Sequence, residues 1–262
     1  MQINMITSNN NKSLRVKNSF FIIQISVISV LIWGCNKENA WDCVQTTGDI
    51  IAQTREISNF NKIQLEDNIN LIISQDSTIN LSVVGGENLL PDVVTEVKGD
   101  TLIIKNDNKC NFVRSFDTPI NVCVSVKSLR NMYLYGYGSI STIDTLVEDS
   151  FRIDGWNASS KINLMLHVKD ANFHLTTGPM ELNVSGIANS CYIYSSGFAI
   201  ADIRNLHSKN TGVNNSGIGD FYVFASNYLN AEIKSYGNVY FTGSPTQIVS
   251  FTNSSGKLIK LD

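Results

Sequence analysis

A short phrase of strand, glycine and strand returns about every twenty residues between Ser128 and Pro245, and it decides the fold class. When its copies are aligned, Gly138, Gly178, Gly197, Gly217 and Gly237 fall into register, and Ala158 takes the remaining place. A fixed period of this length is typical of stacked units that cannot bury their faces alone. The copies are Tyr133-Leu-Tyr-Gly-Tyr-Gly-Ser-Ile140, Phe173-His-Leu-Thr-Thr-Gly-Pro-Met180, Tyr192-Ile-Tyr-Ser-Ser-Gly-Phe-Ala199, Asn214-Asn-Ser-Gly-Ile-Gly219 and Ile233-Lys-Ser-Tyr-Gly-Asn-Val239.

Apolar and polar residues alternate within each unit, as in Lys161-Ile-Asn-Leu-Met-Leu166 and Met180-Glu-Leu-Asn-Val184. This period of two indicates strands rather than helices. No amphipathic helical pattern of ten or more residues follows Cys35, so helices that connect parallel strands are not expected. The sequence therefore predicts an all-β parallel β-solenoid. A β-sandwich or a propeller is the alternative, and propeller blades of about 40–50 residues are longer than this unit.

The strand phrases between Arg55 and Lys105 are shorter and less regular than those of the second half. The end of a solenoid must be covered, since an open edge invites pairing with another chain. We therefore expect an irregular N-terminal cap region within a solenoid domain of residues 55–262.

The N-terminal residues resemble a lipoprotein signal. Phe20 to Trp33 is an apolar run of 14 residues, too short to span a bilayer comfortably, and it ends in Gly34-Cys35. This is similar to the lipobox of bacterial lipoproteins, although Trp33 departs from the usual small or aliphatic residue. We expect a signal peptide at residues 1–34, lipidation of Cys35 and a tether at residues 35–54. The lipid would anchor the chain to the outer membrane or cell surface, and the periplasmic face of the membrane is an alternative location. A secreted protein with a chance cysteine is the alternative.

Charge and cysteine content narrow the function classes. After residue 34, 17 basic and 23 acidic side chains remain, a formal charge of −6, so the basic surface that binds nucleic acid is absent.

Four cysteines remain besides Cys35, an even number, as expected for disulfide pairing in an oxidising compartment. A disulfide between Cys43 and Cys110 would attach the N-terminal arm to the domain, and an unbridged pair is equally open. Cys123 and Cys191 are expected to be buried free thiols.

Five segments are distinctive in their order along the chain. They are Arg55-Glu-Ile-Ser-Asn-Phe-Asn-Lys-Ile63, Gly86-Glu-Asn-Leu-Leu-Pro91, Glu96-Val-Lys-Gly-Asp-Thr-Leu-Ile103, Asn108-Lys-Cys-Asn-Phe-Val-Arg114 and Gly237-Asn-Val-Tyr-Phe-Thr-Gly-Ser-Pro245. Together they resemble the head GIN domain family of auto-transporter adhesins. The resemblance covers about residues 55–256 and implies a right-handed parallel β-helix in a secreted or lipid-anchored Bacteroidota protein with a role in adhesion. It carries no catalytic residues that could be transferred.

Catalytic motifs are missing from the sequence. His167, His174 and His207 are scattered without metal-ligand spacing, and His174 alternates with apolar neighbours, so it is expected to point outward. Parallel β-helices include polysaccharide lyases and hydrolases, which keeps a carbohydrate-active enzyme as the alternative function. Solvated loop charges are the preferred interpretation of its candidate residues, and no metal or cofactor is expected. Those candidates are Asp144, Asp154, Asp170, Asp202, Arg204 and Asp220.

Aromatic residues recur through successive units and favour a binding module without catalysis, whose ligand would be a glycan or a cell-surface protein. Burial of these rings in interior stacks is the alternative for each of them. A capped solenoid is expected to be a monomer, whereas a purely structural envelope protein would stack end to end. The rings are Tyr133, Tyr135, Tyr137, Trp156, Phe173, Tyr192, Tyr194, Tyr222, Tyr236 and Tyr240.

Overall fold

A computed structural model describes residues 46–109 and 119–262. These residues form eighteen strands and a single 3₁₀ turn at Leu90–Asp92. The strands are β1 Ile50–Arg55, β2 Lys62–Leu65, β3 Ile69–Gln75, β4 Asn80–Gly86, β5 Val93–Lys98, β6 Thr101–Asn106, β7 Ile120–Val126, β8 Asn131–Leu134, β9 Ser139–Thr142, β10 Leu146–Gly155, β11 Lys161–Leu175, β12 Glu181–Ser195, β13 Ile200–Asn215, β14 Phe221–Phe224, β15 Tyr228–Ile233, β16 Val239–Thr242, β17 Gln247–Thr252 and β18 Leu258–Lys260.

The strands coil into a parallel β-solenoid, which confirms the predicted fold class. Its strands stack in three parallel ladders, which we call walls. Wall A contains β6, β2, β8, the last four residues of β10 to β13, β15 and β17. Wall B contains β7, β3, β9, the first residues of β11 to β13, β14, β16 and β18. Wall C is formed by the middle of the long strands, at 146–151, 166–171, 186–191 and 206–211.

The core is a set of apolar columns, because each strand places alternate side chains inward. On wall A, Ile153, Phe173, Ile193 and Val213 follow one another in register on consecutive turns, and each is at most 1% exposed. Side chains of similar size therefore stack in line through the interior.

The repeating glycines lie at the corner between walls A and B, where consecutive turns approach closely. Gly178 has a φ of +97°, and a Cβ placed on it would lie 2.0 Å from the carbonyl oxygen of Ala158. Only glycine satisfies both conditions, because any side chain would overlap the preceding turn and left-handed backbone is costly for L residues. The repeating glycines in the sequence thus mark the places where consecutive turns contact each other.

The N-terminal region is irregular, as expected, and the chain does not build its turns in order. Strand β2 lies between β6 and β8, and β3 lies between β7 and β9. The chain therefore makes the second layer first, then the end layer β6–β7, and passes back to β8. Antiparallel strands complete this end: β5 on β6, β4 on β7 and β1 on β4.

The sequence pattern predicts that the strands begin at Arg55. Strand β1 begins at Ile50, five residues earlier. The two described cysteines are free. Cys191 is buried as expected, and burial raises the pKa of its thiol to about 12. Cys123 is free as expected, but the expectation that it is buried is wrong: its side chain lies on the outer face of β7 and is only half-buried.

Candidate functional site

The ten aromatic candidates divide into one core residue and nine outward-facing residues. Phe173 is fully buried, so the interior alternative holds for that ring alone. The other rings lie in three places rather than in one column: wall A, wall B and the corner between them. Wall A carries Tyr133, Tyr192 and Tyr194, wall B carries Tyr222 and Tyr240, and the corner carries Tyr135, Tyr137, Trp156 and Tyr236.

Wall A brings aromatic and charged side chains together on five consecutive turns. Because the strands are parallel and in register, side chains about twenty residues apart form straight columns at roughly 4.8 Å per turn. The name "wall A patch" is used here for three of these columns. The first column is Arg152, Asn172, Tyr192, Gly212 and Asn230, and the second is Asp154, His174, Tyr194, Asn214 and Glu232. The third follows directly after the strands, where the corner begins, and is Trp156, Thr176, Ser196, Ser216 and Lys234.

Arg152, Asp154 and His174 form a hydrogen-bonded group at one end of the patch. Arg152 donates from Nε to Oδ2 of Asp154 at 2.7 Å and from Nη2 to Oδ1 at 2.6 Å. Nη2 of Arg152 also lies 3.2 Å from Nδ1 of His174. A guanidinium group can only donate, so Nδ1 accepts and the proton of the neutral imidazole is on Nε2. The hydrogen bond to Asp154 raises the pKa of Arg152.

Partial burial lowers the pKa of His174, and the positive charge of Arg152 lowers it further, against an opposing effect of Asp154. The imidazole is therefore uncharged at neutral pH. Its ring lies 5.7 Å from that of Tyr192 and 6.0 Å from that of Tyr194, tilted by 59° and 63°. Neither tyrosine has its face covered by a parallel histidine ring.

Tyr192 occupies space that Gly212 leaves free on the next turn. A Cβ placed on Gly212 would lie 3.0 Å from Cδ2 of Tyr192. The phenol ring therefore lies over the backbone of that turn, with 36% of the residue exposed. Burial raises the pKa of Tyr192, and the nearby charge of Glu232 acts in the same direction.

The opposite end of the patch is a second polar group. Nζ of Lys234 lies 2.6 Å from Oε2 of Glu232, which also accepts from Nδ2 of Asn214 at 3.1 Å. Ser216 donates to Oδ1 of Asn214 at 2.8 Å, so the amide is held at both ends. The hydrogen bond that Lys234 donates to Glu232 raises the pKa of Lys234. Both ends of the patch thus present polar groups whose orientation is set by their neighbours.

Wall B contains a second aromatic and ionic group. Arg204 donates from Nε and Nη2 to Asp202 at 2.9 and 2.5 Å, which lowers the pKa of that carboxyl group. Its Cζ lies 4.9 Å from the ring centre of Tyr222, whose other face stacks on Tyr240 at 4.7 Å and 9°. Both faces of Tyr222 are therefore occupied within the protein, so this ring offers no free face to a ligand.

A bulge places Arg204 on wall B. Asn183 pairs with Asp202, but Ser185 pairs with Asn205, so β13 has one residue more than β12 at this point. Bulges re-aim side chains in this way. A groove of about 380 Å³ lies beside the bulge, and its lining includes Asn163, Asn183 and Asp202.

The candidate carboxylates are spread over the molecule. Asp154 is on wall A and Asp202 on wall B, each bound to its own arginine, while Asp170 is exposed at the end of wall C. The remaining two accept backbone N–H groups: Asp144 from Gln75 at 3.0 Å and Asp220 from Asn238 at 2.7 Å. Among residues 46–109 and 119–262, no group of three or more His, Cys, Asp or Glu could hold a metal ion.

The three histidines are separate, as their spacing indicates. His174 points outward, as expected, and is part of the wall A patch. His167 is exposed on wall C, and His207 packs its ring 4.6 Å from that of Phe224.

Sequence reasoning missed Gly212, Asn214, Glu232 and Lys234 as members of the patch. Their distance from Tyr192 and Tyr194 is one or two periods of 18 to 20 residues, so the period was the available signal. It was hidden because the turns differ in length: Asn214 pairs with Glu232 after 18 residues, whereas Tyr194 pairs with Asn214 after 20.

Cys35, Cys43 and Cys110 lie outside the described residues, so lipidation and the disulfide stay predictions. In the part of the chain that the structure describes, no helix is long and apolar enough to cross a membrane.

Comparison with known proteins gives a family and a fold. The model of the family described as "Putative auto-transporter adhesin, head GIN domain" matches residues 59–245. No curated protein sequence matches the chain.

Three solved structures from Bacteroidales are similar to the solenoid. A putative adhesin of Bacteroides fragilis has a TM-score of 0.75 at 18% identity, over 81% of this chain and 97% of that one. A putative adhesin of Parabacteroides merdae has a TM-score of 0.62 at 16% identity, over 83% and 98%. A putative lipid binding protein of Parabacteroides distasonis has a TM-score of 0.62 at 19% identity, over 82% and 98%. At these identities the likeness establishes the shared fold.

Proposed function

Because this chain belongs to the head GIN domain family of auto-transporter adhesins, we propose that it is a lipid-anchored binding module of the bacterial cell envelope that attaches to a ligand through wall A and catalyses no reaction. The anchor is the acylated Cys35, and the ligand belongs to another surface, as a glycan or a cell-surface protein. The outer membrane or the cell surface is the location that follows from such an anchor.

The observation that carries the binding function is the wall A patch. Outward tyrosines on one turn are flanked on both sides by polar groups that are already held by hydrogen bonds and ion pairs. Groups held in place before binding lose little conformational entropy when a ligand arrives. Exposed tyrosine beside fixed polar side chains is the composition that recognition surfaces favour.

The placement of the carboxylates supports binding without catalysis. Glycosidases need two carboxyl groups about 5–9.5 Å apart across the bond to be cleaved. Here Asp154 and Asp202 are on different walls, and each is neutralised by an arginine. The pKa of Asp202 is lowered, which is opposite to what a general acid requires.

The end of the solenoid supports a monomer. Three inward positions that are apolar and buried in one turn are polar in the last turn. In these pairs, Ser250 follows Ala231, Thr252 follows Ile233 and Lys260 follows Phe241. Polar and charged residues facing inward at an edge hinder the addition of another chain.

Two experiments test the function. Cells that express the full chain are labelled with a palmitate analogue, and incorporation into wild type but not into Cys35→Ser is expected; equal labelling would refute the anchor. Liposomes carrying the acylated chain are then applied to epithelial cells and to mucin-coated surfaces. Retention on these surfaces without release of sugar products is expected. Product release would show an enzyme, and no retention on either surface would contradict the binding function.

A further inference from the structure

We propose that the ligand of the wall A patch is an uncharged oligosaccharide, which lies along the stacking direction of the turns with one sugar ring against Tyr192. This inference rests on the proposed function and names the ligand class of the same surface.

Tyr192 is 36% exposed, and among the residues that the structure describes no aromatic ring stacks parallel on it. Its ring lies over Gly212, where a side chain would displace it, and the nearest aromatic neighbour meets it at a tilt of 59°. Tyr222 on wall B is the opposite case, with a guanidinium group on one face and Tyr240 on the other. A sugar ring packs its C–H face against an aromatic face, which requires such an open ring.

The charges of the patch neutralise one another in pairs. Two cations and two anions are present in its three columns, and they are joined pairwise as Arg152 with Asp154 and Lys234 with Glu232. His174 adds no charge at neutral pH, because its Nδ1 accepts a hydrogen bond from Arg152. A polyanion such as a nucleic acid or a sulfated glycan is bound through cations that are free to meet it. The paired charges here favour an uncharged ligand.

Hydrogen-bonding groups of both kinds, donors and acceptors, lie near the ring of Tyr192. His174 directs an Nε2–H donor, the phenols offer hydroxyl groups, and Asn214 holds an amide beside Glu232. A sugar hydroxyl both donates and accepts, so a mixture of fixed donors and acceptors suits it. From Arg152 to Glu232 the patch crosses four strand spacings, about 19 Å, which fits a short linear chain of sugars rather than a single one.

The test applies the full-length protein in detergent to an array of neutral glucans, mannans and galactans together with sulfated and uronic-acid polysaccharides. Tyr192→Ala removes the ring, and Gly212→Val fills the space beneath it. Tyr240→Ala is the matched control, since it removes a half-buried tyrosine from wall B. Gly212→Ala is a milder step, because its Cβ meets only the edge of the ring. Thermal unfolding of every variant verifies that it is folded.

Binding to a neutral oligosaccharide is expected, at least tenfold weaker in Tyr192→Ala and Gly212→Val and within twofold of wild type in Tyr240→Ala. Binding to acidic polysaccharides alone, or binding unaffected by Tyr192→Ala, would overturn the inference. If the liposomes adhere to cells through Tyr192 but no glycan binds, the ligand class is wrong and the binding function stands. If the liposomes do not adhere at all, the binding function itself fails.

Discussion

Lys260 occupies, on the last strand of wall B, the position that Phe241 occupies one turn earlier. Phe241 is 5% exposed within the core, whereas Lys260 is exposed at the open end of the column. An ammonium group at the end of an apolar column must be desolvated before another chain can pack there, and this is costly. This charge is therefore expected to oppose end-to-end association of the last turn.

Replacing this charge should change the oligomeric state. Sedimentation of the wild-type protein is expected to show a monomer, and the double variant Thr252→Ile, Lys260→Phe is expected to form larger species as its concentration rises. Lys257→Phe is the control, because this exposed residue precedes the inward Leu258 and faces outward. A wild-type dimer, or equal association in the control, would disprove the protective role of Lys260.

Phe173 should contribute strongly to stability, although the other nine aromatic candidates face outward. It is fully buried between Ile153 and Ile193, so Phe173→Ala is expected to lower the free energy of unfolding by about 3–5 kcal/mol. Tyr194→Ala, on the outer face of the next turn, should cost much less. Denaturant titration followed by circular dichroism compares the two, and equal losses would contradict the assigned orientation of the two rings.

A comparison of substitutions at Gly178 and Gly99 should distinguish the cost of a left-handed backbone from the cost of steric overlap. Both have positive φ, +97° and +65°, but nothing lies within 4 Å of a Cβ placed on Gly99. Gly99→Ala is expected to cost about 1–2 kcal/mol from its left-handed backbone alone. Gly178→Ala should cost clearly more, because its Cβ would overlap the carbonyl group of Ala158. Thermal unfolding of both variants measures this difference, and comparable losses would show that contact between turns does not require glycine.

His174 should make stability depend on pH. Its pKa is lowered in the folded protein, so below about pH 6.5, the usual value for an unfolded histidine, the unfolded chain binds the proton more tightly. The contribution of His174 to stability is therefore fully present above this pH, and it is lost as the pH decreases through the pKa of His174 in the folded protein. NMR titration of the imidazole should give a midpoint below 6.5, and a higher one in Arg152→Gln, where Asp154 remains alone. A midpoint at or above 6.5 in wild type would refute the assigned environment.

Much of the architecture could be predicted because its determinants are local. Alternation within Lys161-Ile-Asn-Leu-Met-Leu166 identifies a strand, and the glycine period identifies the corner at which turns meet, since Gly178 and its equivalents are required by contact with the preceding turn. The wall A patch could be predicted only as a list of aromatic candidates. Whether Phe173 or Tyr194 points outward depends on one residue of strand phase, which the irregular corners obscure.

The order of the turns and the composition of the patch were decided by the tertiary structure. Nothing in the residues of β6 and β7 indicates that they form a layer outside β2 and β3, because parallel pairing depends on contacts between distant segments. Likewise, Arg152 and Glu232 share one surface only because the three turns between them stack in register. The sequence by itself determined the repeating strand and its inward face, through side-chain alternation and the steric demand for glycine. The tertiary structure alone decided which outward side chains became neighbours, because register between turns is a property of the packed solenoid.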